Sequence, residues 1–357
     1  MTTQTAFGEP PKAARRHHEH NHHGIVTADP YAWLQDPNYP TVTDAAVLDY
    51  LRAENTYFEQ CMAPNEELIN SLFDELKNRK SDNDESVPYF HNGFHYQWRF
   101  NEGDQYRRWY RASGNHDLEQ VAAEHWQVLL DENQLAQDHD FFRLGALSVS
   151  PDNKYLAYSI DNDGSERFTL HVIDLSSGTA ITAPITNTMG EPIWNRSSDG
   201  LLYRNVNAQW RPDKIYWRTL HSEQADELIC SEDDSGFFLS MHLSQSEQLV
   251  FLQSADHVTS EVSFLPANDF SHVPIMISPR QPGHEYDAEH YQDQLLIRSN
   301  KRHANFDLYT APMTAHSLTE WRPFLEGDDT HYLLGHVVFD EQVFVPQRIE
   351  GLDQILV

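Results

Sequence analysis

The sequence predicts an all-β fold, a β-propeller preceded by N-terminal α-helices, and three observations carry that prediction. After Val87 the chain runs as short aromatic and β-branched stretches with period-2 alternation, separated by Asp, Asn, Gly and Ser. Within that region a strand–turn–strand unit returns at a nearly constant interval. Upstream, residues 41–80 follow the helical period instead.

The repeat is explicit in the residues. KYLAYSIDNDGSERFTLHVIDLSSG, Lys154 to Gly178, reads as strand, polar turn, strand and a Ser-Ser-Gly turn. The layout returns from Gly200, Glu247, Asp293 and Asp340. Equivalent first-strand positions are Tyr155, Leu201, Gln248, Gln294 and Glu341, advancing by 46, 47, 46 and 47 residues. The second-strand series Leu170, Tyr216, Ser263, Tyr309 and Leu356 advances identically. An earlier unit, His95–Gly114, precedes the series by one longer step, with Glu119–Phe142 read as an insertion. Multi-stranded units of about 40–50 residues mark propeller blades, each burying its faces only against its neighbours. Five blades and part of a sixth are counted, and the last repeat is expected to stop at Val357 partway through a strand pair.

Residues 41–80 read as two helices. Thr43 or Asp44 can cap the first, whose apolar positions are Val47, Leu48, Leu51, Phe58 and Met62. Pro64 sits where the second can begin, and Leu68, Leu72, Phe73 and Leu76 form its apolar stripe, a spacing read as core packing. The expected organisation is a leader over 1–40, helices over 41–86 and an incomplete propeller over 87–357.

Charge and composition narrow the function classes. With 25 Lys+Arg against 55 Asp+Glu the formal charge is −30, a field that repels phosphate backbones and favours cationic ligands. Nucleic acid is therefore not an expected partner. Cys61 and Cys230 form no CxxC pair, so neither a disulfide framework nor a thiolate metal site is implied. The N-terminal residues lack the apolar core of a signal peptide, and no apolar run approaches the ~18 residues of a membrane span. A soluble, cytoplasmic protein is expected.

His17, His18, His20, His22 and His23 could offer imidazoles to a metal. The run lies among Pro10, Pro11, Asn21 and Gly24 and is read as having no helix or strand to fix it, so loose, adventitious binding is expected and no metal site or cofactor is assigned.

Several long motifs resemble the prolyl oligopeptidase family. DPYAWLQD (Asp29–Asp36), followed by LRAENTYFEQCMAPNEELINSLFDELKNR, resembles its N-terminus, and SVPYFHNGFHYQWRFNEGDQYRRWYRASG its first blade. LAQDHDFFRLGALSVSPDNKYLAYSIDNDGSERFTLHVIDLSSG, LLIRSNKRHANFDLY and SADHVTSEVSFLPAND are similar to the oligopeptidase B (protease II) branch. The resemblance implies a seven-bladed propeller that admits short peptides to an α/β-hydrolase domain carrying a Ser–Asp–His triad, with cleavage after Arg and Lys in this branch. It also implies that the helices of 41–80 pack against the hydrolase domain.

The chain departs from the family at the chemistry. A hydrolase nucleophile sits at a G-x-S-x-G elbow, and no two of the 15 glycines here stand four residues apart. No catalytic or specificity residue is carried over. The expected function is therefore the gating propeller region of an oligopeptidase B-like peptidase, inactive alone, its partners short basic peptides and a separate chain carrying the hydrolase domain. The competing expectations are a self-standing propeller that binds peptides or proteins without chemistry, and a His-mediated metal carrier.

Overall fold

A computed structural model of the chain describes residues 8–39, 41–114, 125–339 and 341–357. The chain divides into two compact units, the first ending at Asp82 and the second spanning Asn83–Val357.

In the first unit the histidine run is not unstructured. Glu19–His22 pairs antiparallel with Ile25–Ala28, His22 facing Ile25. His23 and Gly24 both adopt positive φ, 56° and 78°, the conformation a two-residue hairpin turn demands. The physical reason is the β-branched run Ile25-Val26-Thr27 behind a turn glycine, which gives the histidine segment a partner strand.

The Asp29–Asp36 motif then fixes the chain. Asp29 Oδ1 accepts from Tyr31 N at 3.0 Å, and Trp33 Nε1 donates to Ala14 O at 2.7 Å. The Arg16 guanidinium lies 4.1 Å from the Trp33 ring centre. Asp36, 4% exposed, accepts from the backbone N–H groups of Asn38, Thr43 and Asp44. The Asp44, Asn38 and Thr43 bonds hold its carboxyl below the usual range.

Helix α1 spans Ala45–Met62, with Asp44 as the N-cap accepting from Ala46 N and Val47 N. Ala63–Asn65 forms a 3₁₀ turn with Pro64 inside it, and helix α2 runs Glu66–Lys77. The α2 stripe, read as core packing, is instead exposed: Leu68, Leu72, Phe73 and Leu76 all stand in the open.

The second unit is a succession of antiparallel blades. Blade 1 comprises Tyr89–His91, Phe94–Phe100, Arg108–Ser113 and Gln127–Asp131, with Asp84–Glu85 added beside Phe94–Phe100. The Glu119–Phe142 stretch is thus not merely an insertion, because it supplies this blade's fourth strand; Glu119 to Glu124 lie outside the described residues. Blade 2 (Arg143–Val149, Tyr155–Asp161, Phe168–Asp174) and blade 3 (Gly200–Val206, Pro212–Thr219, Glu227–Ser231) share Ile185–Trp194, which pairs with both. Blades 4 (Phe238–Leu243 to Ile275–Ser278) and 5 (Tyr286–Tyr291 to Arg322–Leu325) have four strands each.

Blade 6 holds His331–Leu333, Val337–Val338, Val343–Ile349 and Leu352–Leu356. Its last two strands form a full antiparallel pair, Val345 facing Leu356 and Ile349 facing Leu352, so the repeat does not stop midway through a strand pair as the sequence suggested. Asp340, where that repeat begins, lies outside the described residues.

The repeat maps onto the second and third strands of successive blades. These second strands read as unbroken apolar runs because both of their faces are buried. Val250 and Leu252 pack on blade 3 residues such as Leu202 and Ile215, while Phe251 packs toward Leu295 and Ile297 of blade 5. Leu296, between those two, turns to Leu333 and Val345 of blade 6. Each core therefore lies between two blades and none within one, which is why a single blade has no fold of its own.

Candidate functional site

The first strands of the blades converge. His91 of blade 1, Ser148 and Val149 of blade 2, Glu191 to Trp194 of the strand shared by blades 2 and 3, and Met241 to Leu243 of blade 4 line one cavity of ≈ 470 Å³. A propeller surrounds a central channel with these strands, and a volume of this size suits a small ligand.

A repeated turn shapes one rim. Ser150, Asn195 and Ser244 are each buried, and each accepts, through its side chain, a backbone N–H four or five residues on. Three residues after each lies a position with positive φ: Asn153 at 62°, Ser198 at 60° and Glu247 at 55°. Asn tolerates that conformation far better than Glu, so Glu247 is held there at some cost. Its carboxylate Oε1 lies 3.7 Å from His91 Nδ1, bridging blades 1 and 4.

Inside the cavity two opposite charges are left without an ion-pair partner. Glu191 makes no hydrogen bond or ion pair among the described residues, and its surroundings raise its carboxyl pKa through burial alone. Solvent reaches it even so, as expected for a group on a channel wall. Tyr89 is raised likewise, first by burial and then by the Glu191 charge. Arg204 donates to Leu239 O at 3.3 Å, while its Nε is buried without a partner, and burial lowers its pKa. Gly190, with φ 75°, lets that guanidinium in: a Cβ there would lie 1.8 Å from Arg204 Nη2.

Beside the cavity stands a second polar group. Asp287 of blade 5 accepts from Arg298 Nε at 2.8 Å and lies 3.3 Å from Nδ1 of the buried His336, which is out of line for a hydrogen bond. Burial keeps His336 and His242 below the ordinary imidazole range despite the neighbouring Asp287 charge.

No catalytic, cofactor or metal residue was expected from sequence, so none can be placed. Among the described residues no group of three His, Cys, Asp or Glu side chains is gathered as a metal site. The histidines of the leader are spread along their hairpin, with His20 and His22 ring centres 5.9 Å apart and His20 within 3.5 Å of Asp29. Sequence reading missed Glu191, Arg204, His91 and Glu247. One signal was available, the glycine at 190 interrupting a strand, which marks a bulge or a close approach.

Inter-blade cores and first strands meeting on one cavity define a β-propeller domain. Residues 10–357 match the family described as prolyl oligopeptidase, N-terminal beta-propeller domain, and the chain belongs to that family. It is 31% identical over 351 residues to Protease 2 of Moraxella lacunata, covering 97% of this chain and 50% of that protein. It is 29% identical over 365 residues to Dipeptidyl aminopeptidase BI of Pseudoxanthomonas mexicana, covering 99% and 50%. Oligopeptidase B from Leishmania major superposes with a TM-score of 0.88 at 23% identity, over 97% of this chain and 50% of that one. The chain therefore spans about half the length of the curated relatives it matches. No helix among the described residues is long and apolar enough to cross a membrane.

Proposed function

We propose that this chain is the substrate-filtering propeller of an oligopeptidase B-like serine peptidase, and that it is inactive by itself. The observation that carries the reading is the cavity between the first strands, lined by Glu191 and Glu247 and crossed at its rim by the His91–Glu247 pair. A cavity of about this volume admits short peptides, folded proteins are too large to enter it, and the −30 charge of the chain favours cationic ones. The exposed α2 stripe Leu68, Leu72, Phe73 and Leu76 supports a second element of the reading, a hydrolase domain packed against that helix. The chemistry then belongs to the hydrolase domain, since an acyl-transfer site needs a positioned nucleophile, base and oxyanion donors together.

The test is hydrolysis of Arg- and Lys-ending chromogenic peptides by the purified chain, alongside labelling with a serine-reactive phosphonate. Neither turnover nor label is expected. Turnover that follows this chain through repeated purification would refute the assignment.

A further inference from the structure

The two unpaired charges of the channel call for a ligand that carries both signs. Glu191 and Arg204 line the same ≈ 470 Å³ cavity, yet neither forms an ion pair with the other or with any described neighbour. The burial that raises the Glu191 carboxyl and lowers the Arg204 guanidinium acts on each without a compensating charge, and uncompensated charge in a partly desolvated place is unfavourable. Arg204 spends one donation on Leu239 O, its Nε has no partner, and a glycine at 190 is what admits the guanidinium. The same cavity also has apolar lining from Val149, Ile193, Met241 and Leu243.

We propose that this cavity is a binding site for a short zwitterionic peptide, Arg204 receiving the α-carboxylate, Glu191 the α-ammonium, and the apolar wall the side chain between them. A guanidinium matches a carboxylate through parallel N–H donors, and a carboxylate matches an ammonium. The site deepens the channel reading, on which it rests, by giving the passage a chemical preference for free peptide ends rather than for peptide length alone.

The experiment is calorimetric titration of the full chain with Ala-Leu-Ala, its N-acetyl form and its C-terminal amide. The free tripeptide binds, and each blocked form binds at least about 10-fold more weakly, the scale expected when one charge-assisted contact is lost. Glu191→Gln then erases the difference between free and acetylated peptide, and Arg204→Gln the difference between free and amidated peptide. The wild-type comparison decides the matter even where a variant fails to fold. Equal affinity for all three peptides, or no binding of the free tripeptide at millimolar concentration, overturns the proposal. Failure here with size selection intact in a peptidase fusion removes only this site; success here with size selection absent removes the filter and leaves a peptide-binding propeller.

Discussion

His91 and Glu247, one from blade 1 and one from blade 4, meet with 3.7 Å between Nδ1 and Oε1. Both side chains are about half exposed, 45% and 47%, so the pair is screened and contributes little to stability. Glu247 also holds a φ of 55°, which Asn adopts more easily. Glu247→Asn is therefore expected to change unfolding free energy by less than about 1 kcal/mol in urea melts. A loss well beyond that would make the pair a structural tie between blades rather than a feature of the channel rim.

Adjacent residues on one strand serve different interfaces. Leu252 belongs to the core between blades 3 and 4, and Phe251 to the core between blades 4 and 5. Leu252→Ala is expected to destabilise by about 2–5 kcal/mol and Phe251→Ala by about 3–5 kcal/mol. Hydrogen exchange should separate them, Leu252→Ala quickening blade 3 and Phe251→Ala quickening blade 5. One shared pattern of exchange would contradict inter-blade cores.

Glu232 ties blade 3 to blade 4. It is 8% exposed and is bonded to Ser254 and Arg280, while Arg280 also lies 3.5 Å from Glu261 and 4.2 Å from the Phe237 ring centre. Burial pushes its carboxyl up, but the bonds from Arg280 and Ser254 bring it below the ordinary 4.5. A depressed carboxylate contributes stability above its unfolded pKa and loses it as pH falls through the folded value. Glu232→Ala should therefore cost about 3 kcal/mol at neutral pH and flatten the acid limb of stability below pH 4.5. An unchanged acid limb would show that Glu232 does not titrate with unfolding.

Gly190→Ala tests how Arg204 is held. The added methyl has no room beside Nη2, and φ 75° strains any side chain. The guanidinium is expected to leave its seat, weakening tripeptide binding at least as much as Arg204→Gln does and lowering the melting temperature by several degrees. Retained affinity would mean that Arg204 is not the carboxylate-binding group.

The blades were legible because the repeat is written in buried second strands: residues such as Leu201 and Leu202 have no exposed face, so their apolar character survives at every blade. α1 was legible too, through the Asp44 cap and the helical period. The leader hairpin was not, because five histidines mask a strand whose only marks are Gly24 and the β-branched run after it. Blade 1's fourth strand hid in an apparent insertion for the same reason, its pairing being set by Arg108–Ser113 rather than by its own pattern. The channel site was invisible for a deeper one. Glu191, Arg204, His91 and Glu247 come from different blades, on first strands, a second strand and a turn, and are brought together only by the packing of blades, which no local pattern records.

The most direct measurement of the proposed size filter uses the chain joined in family order to the half that it does not cover of Protease 2 from Moraxella lacunata, the relative it matches at 31% identity. Initial rates are compared on a Lys- or Arg-ending tripeptide substrate and on casein. Steady cleavage of the tripeptide with casein left intact is expected of a size filter, and digestion of casein at a comparable rate would rule one out.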